Sequence, residues 1–440
     1  MLAISNPVLV LGLAAGLALG ACRTSRAPAD ARAGGSTDQA PAPDPAGDSQ
    51  TTPPSDDAAS APAGVDPATV SAEVADLQFH KSRRGNLLAT AGKRSAPLPV
   101  TNVFEIGPVR WSEDRSEVVV QYDDYCEQRQ RATFSARSLV ARLENTQALA
   151  AHRARNHAAA AKGFARVVAL DPDFDLGYTN LAAALTLAGK VEEAMAALAP
   201  LLARNPVQVY AKVARDAELT ALREQPAIVA QRSPAPGTAV IHAQSFTLQG
   251  APLAIDHARK LIAAIDTEAS WGACHFESIL QIFSATTGEV RAELPIVTWD
   301  DSDPDACDGR ALLPEARARV AERVEVANRV LRDLGFAPAA KLKQYSGAEQ
   351  PDAERASIKI ALTASKLSLV VSEGKARVLR QDRVLVERPV PPATAIESAV
   401  HVPEVDAVIY AWQRPGAEGC EGSDPTGIVV LPLASSPAKP

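Results

Sequence analysis

The chain has 440 residues, 46% hydrophobic and 22% charged, with 33 Pro and 25 Gly but only 4% aromatic residues. At roughly 150 residues per domain, that is enough for two or three folded blocks with real cores. Its 45 Lys plus Arg stand against 52 Asp plus Glu, a formal charge of −7, and so mild an acidic excess argues against general nucleic-acid binding. Collagen-like and coiled-coil biases are absent as well.

In chain order the first feature is an apolar run of 14 residues, Val8 to Ala21. It is too short to span a bilayer comfortably and has the length of a signal-peptide core. It ends in Leu19-Gly20-Ala21-Cys22, which resembles the lipobox of bacterial lipoprotein signal peptides, although Met1 to Pro7 carries no Lys or Arg, unlike the basic start of such signals. The resemblance implies a signal peptide over 1–21, lipidation of Cys22, and a mature chain held at the membrane by acyl chains instead of a spanning helix. Arg23, not Asp, follows the cysteine, so the family's sorting rule implies the outer membrane, facing the periplasm or the cell surface. An uncleaved anchor or a buried helix is the alternative. Residues 22–68 are almost wholly Ala, Pro, Asp, Ser, Thr and Gly, which predicts a disordered, semi-extended tether because so little apolar area cannot offset the ordering entropy. A Pro-rich ligand motif is possible there, but no aromatic or basic flank supports it.

Residues 69–138 read as a small β-rich unit, with alternating runs on either side of a turn at Glu113, Asp114 and Arg115. From 139 to 232 the composition turns Ala- and Leu-rich with a helical period. Shifting the chain by 34 places Ala160 on Ala194, Phe164 on Leu198, Val167 on Leu201 and Pro172 on Pro206. With Tyr178, Leu181, Ala182, Leu185 and Gly189 in the better copy, this spacing resembles the tetratricopeptide (TPR) repeat. Small Ala182 and Ala194 would let the paired helices cross closely, and Gly189 would make the turn. The earlier copy keeps Ala148 and Ala160 but has Arg155 where the turn glycine belongs. A third half-copy begins after Pro206.

The resemblance implies a scaffold that binds a protein or peptide along the first helix of each repeat. The corresponding residues here are Arg142, Asn145, Leu149, His152 and Arg153, then Leu176, Thr179, Ala183, Thr186 and Leu187, then Tyr210. Arg142, Asn145, His152, Arg153, Thr179, Thr186 and Tyr210 would be the groove's polar or hydrogen-bonding lining. Two Arg and a His at one end would suit an extended ligand with an acidic or carboxylate group. From Arg129 to Arg166 there are eight Arg or Lys and one acid, Glu144; a solvated basic face that keeps the array soluble is the plainer explanation of the same excess. Asn145 and Leu149 stand where peptide-tail-gripping co-chaperones carry Lys and Asn, so that clamp is not supported.

Residues 233–440, entered through the Ser-Pro-Ala-Pro-Gly stretch at 233–237, read as a β-rich block interrupted by one helix at 313–334 that stops at Gly335. A weak duplication is visible: Val290, Glu293, Pro295 and Ile296 repeat as Val384, Glu387, Pro389 and Val390, both V-x-x-E-x-P-[IV]. The strand–loop–strand units and the Ala-Thr-Thr-Gly-Glu turn at 285–289 resemble blades of β-propeller proteins. The expected fold is therefore multidomain α + β: a short TPR-like helical array between a small β unit and a C-terminal β-rich domain of paired antiparallel sheets, propeller-like in one version.

Chemistry is thin. Beyond Cys22, the four cysteines Cys126, Cys274, Cys307 and Cys420 form an even set in a chain expected to be exported, which favours disulfides with three possible connectivities. Asp301, Asp303 and Asp305 could open a calcium loop, but Ala306, Pro304 and Leu312 replace the turn glycine, a flexible middle and the closing Glu. A solvated acidic loop is the alternative, and no cofactor is otherwise expected. The motifs of serine hydrolases, zinc proteases and nucleotide-binding loops are missing; His401, with Glu397 and Glu404 nearby, is a histidine in acidic company, and an ordinary loop histidine is the plainer reading. The expected function is thus non-catalytic, a lipid-anchored envelope scaffold for a protein or peptide, against a hydrolase with its site in 233–440.

Overall fold

The switch from a helical to a two-residue hydrophobic period near residue 233 is also the switch of architecture in the computed structural model, which describes residues 70, 73–83, 85–100, 103–124, 129–242, 252–270, 275–303, 311–339, 345–346, 357–390, 395–413 and 426–433. All lie in one compact unit, Ala59–Pro440. The expected signal peptide, Cys22 and the tether lie outside the described residues, as do Cys126, Cys274, Cys307, Cys420 and Asp305. Among the described residues, no helix is long and apolar enough to cross a membrane.

The first block holds two three-stranded antiparallel sheets, β1 (Gln78–Lys81), β2 (Leu87–Ala91) and β3 (Arg94–Pro97), then β4 (Val103–Trp111), β5 (Glu117–Asp124) and β6 (Arg129–Ser135). Alternation turns Leu87, Ala89, Val118 and Val120 inward, where they share a core with Leu139 of the first helix. Five helices follow: α1 (Ala136–Arg153), α2 (His157–Leu170), α3 (Asp175–Leu187), α4 (Val191–Arg204) and α5 (Pro206–Arg215). Side-chain caps start three of them: Ser135, Asn156 and Asn205 accept from the amides of Ser138, Ala159 and Gln208, each worth about 1 kcal/mol. Each of the five packs on the next.

The 34-residue period seen in the sequence is carried into the helix boundaries. Helix α2 runs from 157 to 170 and α4 from 191 to 204. Ala160, Phe164 and Val167 are buried as Ala194, Leu198 and Leu201 are. The turns before these helices match too. Gly189 sits at φ +77°, and Arg155, its counterpart, takes φ +60°. In both turns the following amide reaches back to a helix carbonyl, Lys190 to Leu185 and Asn156 to Ala151. The geometry survives the loss of glycine, at a left-handed cost of about 1 kcal/mol.

After α5 come a 3-10 segment, Ala217–Leu222, and the short helix α6 (Pro226–Val229). The C-terminal part stacks three open sheets face on face. The first has the order β10 (Val290–Val297), β9 (His275–Ser284), β8 (Leu261–Ser270), β7 (Pro252–Asp256), β11 (Ala337–Pro338). The second has the order β12 (Tyr345–Ser346), β17 (Ala395–Val402), β18 (Ala407–Gln413), β19 (Thr426–Pro432), and the third β13 (Ser357–Leu362), β14 (Leu367–Ser372), β15 (Lys375–Arg380), β16 (Arg383–Pro389). Ile262, Phe283, Val400 and Ile409 pack between the first and second sheets, while Ile396, Tyr410, Leu369 and Val378 pack between the second and third. Sheets covered on both faces need apolar residues at successive positions, hence LIAAI in β8 and AVIYA in β18; the third sheet, covered on one face, alternates as LSLVVS in β14.

The other face of the first sheet meets the helices. Ala263, Ile265, Leu280, Leu294 and Ile296 share one core with Tyr178, Leu198, Val209 and the long helix α7 (Ala316–Asp333). The expected boundary at 232/233 is therefore crossed by a continuous core. The architecture is mixed α and β, and among the described residues no sheet closes into a barrel or a propeller ring. The propeller version of the expectation is corrected accordingly: the sheets stack in an open row, with the helices covering one end of it.

Candidate binding cleft

The residues expected to line a groove are dispersed by packing. Tyr210 is buried at 3% exposure, and its hydroxyl donates to Asp333 Oδ2 at 2.7 Å. Burial first, and then Asp333, push its pKa up to about 12, so it stays a neutral donor that ties α5 to α7 and offers nothing to a ligand. Asn145 is buried and accepts from Asn180 Nδ2 at 2.9 Å. Thr186 returns its hydroxyl to the Ala182 carbonyl at 2.7 Å. Arg142 is half-buried over the Phe174 ring, 4.9 Å from its centroid, and burial pulls its pKa down. Arg153 is exposed.

His152 explains the rest. Its Nε2 stands 3.0 Å from Glu218, in the 3-10 segment that lies against α3, α4 and α5. Within that segment Leu219 and Leu222 are fully buried beside Ala183 and Leu185. Two buried leucines contribute about 1.5–3 kcal/mol each, more than a part-exposed hydrogen-bonded contact such as His152–Glu218. The segment is thus a fixed strap over the inner side of α3, reaching α1, and it occupies the surface where the sequence placed the middle of a groove.

What stays open is a cleft of about 620 Å³ between α3, α5 and strand β10. This lies in the size range of ligand sites. Thr179 is the one residue of the expected polar lining found in it, together with Phe174, Leu176, Gln208 and Ala211 from the helical side and Val290, Ala292 and Pro295 from the strand. Leu176 is 45% exposed and Val290 42% exposed, one apolar side chain from each wall. Charges of both signs line it: Asp173, Asp175 and Glu293, against Lys212, Arg215 and Arg291. Asp175 is paired with Arg204, Lys212 with Asp216 at 3.2 Å and Arg291 with Glu289 at 2.9 Å. Arg215 is half-buried, its pKa lowered by desolvation, and it donates to the Glu293 carbonyl at 3.2 Å. Strand β10 ends its sheet, with β9 as its hydrogen-bonded neighbour.

The acidic loop has a structural task. Asp301 is 1% exposed. Its Oδ2 accepts from the amide and hydroxyl of Thr298 at 2.9 and 2.7 Å and from Arg323, and its Oδ1 accepts from Arg319 at 3.1 Å. Burial opposes the ionised form, but the Thr298 bonds and the two guanidiniums outweigh it and hold the carboxyl at about 2. Both oxygens are engaged by donors, two of them cationic, which leaves this carboxylate little to offer a metal ion. Asp303 lies beside it, its amide bonded to the Ala311 carbonyl at 2.9 Å; among the described residues no group of three or more potential ligands could hold a metal. His401 is half-buried on β17, and desolvation lowers its pKa; the Asp406 carboxylate stands 3.9 Å from its Nε2, beyond hydrogen-bond reach.

Sequence reasoning missed Phe174, Lys212, Arg215 and the whole β10 wall. The V-x-x-E-x-P-[IV] pattern at 290–296 was visible, yet nothing in it showed that helices would face that strand. No family model, curated protein or solved structure matches the chain.

Proposed function

We propose that this protein is a non-catalytic lipoprotein of the bacterial cell envelope that binds a protein or peptide through its TPR-like helices. The cleft carries this reading: a concave space with exposed Leu176 and Val290 set among polar and charged side chains offers a peptide segment both apolar contact and hydrogen-bonding groups. Support for the repeat comes from the 34-residue spacing of α2 and α4 and from their matched left-handed turns. The lipobox-like Leu19-Gly20-Ala21-Cys22 and the Pro- and Ala-rich stretch to residue 68 support a tethered outer-membrane position. A photo-crosslinking side chain at position 176 in intact cells should yield a discrete adduct, while the same probe at exposed Val384 yields none; equal labelling at both positions would reject the cleft as the site. Mass spectrometry of the mature N-terminus checks the anchor, and an unmodified Cys22 in exported protein would contradict it.

A further inference from the structure

The stack of three sheets has two seams. Between the first and second sheets Ile262, Phe283, Val400 and Ile409 meet as an apolar layer. The seam between the second and third differs. Register sets His401 of β17 opposite Val408 and Ala399 opposite Tyr410, and Ala399, Val408 and Tyr410 share a core with Leu369 and Val378 of the third sheet. By alternation His401 faces the same way. Its side chain is 13% exposed, yet both ring nitrogens, like the Tyr410 hydroxyl, are shut off from solvent and have no hydrogen-bond partner among the described residues. Polar atoms left in that state weaken the seam that buries them.

Charge around the ring is one-sided. Asp406, half exposed and 3.9 Å from Nε2, and Glu404 stand in the turn between β17 and β18, whereas Arg380 ends β15 in the third sheet. A neutral imidazole feels little of this field. A charged one is drawn towards the turn and repelled from the third sheet. Burial is the main reason that its pKa lies below the ordinary 6.5, with Arg380 acting in the same sense and Asp406 and Glu404 against it.

We propose that His401 is an acid-operated latch between the second and third sheets: protonation swings the ring towards Asp406 and Glu404 and releases β13–β16 from the second sheet. The closed seam tolerates the neutral ring, so it is fully held above pH 6.5 and weakens as pH falls below that value. The latch is on the face of the second sheet turned away from the first, so it stands or falls independently of the cleft.

The test is amide exchange on the full chain at about pH 7.5 and about pH 5, expressed as protection relative to the intrinsic rate at each pH. Protection over residues 357–389 should fall about tenfold at the lower pH while that over β8 and β9 stays unchanged. His401→Gln, which cannot take the charge, should show no such fall, and Arg380→Gln, which removes the repulsion, a smaller one. Equal protection at the two pH values, a fall shared by all three sheets, or an acid response that survives in His401→Gln would each overturn the latch. Should that variant fail to fold, an NMR titration of the wild-type ring decides instead, because a His401 pKa at or above 6.5 leaves no acid-driven release.

Discussion

Strands β10 and β16 carry the same V-x-x-E-x-P-[IV] signature, and each is the last strand of a four-stranded antiparallel run, β7 to β10 and β13 to β16. Their leading valines are almost equally exposed, 42% at Val290 and 47% at Val384. Their surroundings differ. The Glu387 carboxylate of β16 pairs along the sheet surface with Lys375 at 2.8 Å and Arg377 at 2.6 Å. Beside β10, helices α5 and α7 pack close and send Arg215 and Arg323 to its carbonyls. The pattern thus encodes an edge strand guarded by charge and proline against adventitious pairing. What differs is what is packed beside each: with helices against it, β10 borders a cleft.

The largest effect should come from removing the support under β10. Asp301→Ala strands Arg319 and Arg323, the second of which also holds Ile296, and should cost about 3 kcal/mol in urea denaturation. The same carboxylate gives an acid signature. Its pKa lies at about 2 against an ordinary 3.8, so its stabilisation is present above about pH 4 and disappears as pH falls through 2. That loss should be about 2 kcal/mol and should be missing in Asp301→Asn.

A smaller effect is expected at the α5–α7 seam that holds the helical wall in place. Tyr210→Phe removes the bond to Asp333 and should cost about 1 kcal/mol. Because the Tyr210 pKa is raised to about 12, the wild type should lose stability from pH 10 upward through 12, and the Phe variant should lack that loss. Smallest of all is Glu387→Gln on β16, where exposed ion pairs should leave the denaturation midpoint unchanged at physiological salt. A large effect there would mean that the two edges are structurally equivalent after all.

Legibility in the sequence followed the range of the physics. The turns at Gly189 and Arg155 and the recurring Ala160, Phe164 and Val167 could be placed because turns and hydrophobic period act over a few residues. Most strands of the C-terminal part were legible for the same reason, although β7 and β17 were not, and the pattern shared by β10 and β16 did not show that each would end a sheet. The groove residues were placed by analogy with an array whose inner face is open, and here Leu219 and Leu222 cover that face while Tyr210 turns into the core.

By itself, then, the sequence determined which segments are helix and most of those that are strand, where the 34-residue period falls and that two strands share one V-x-x-E-x-P-[IV] pattern. Only the tertiary structure decided that the strap fills the middle of the expected groove and that α3 and α5 stand across from β10, with Leu176 and Val290 lining one cleft. Secondary structure answers to neighbours along the chain. A cleft answers to which surfaces bury each other, and here one shared core between helices and sheet made that choice.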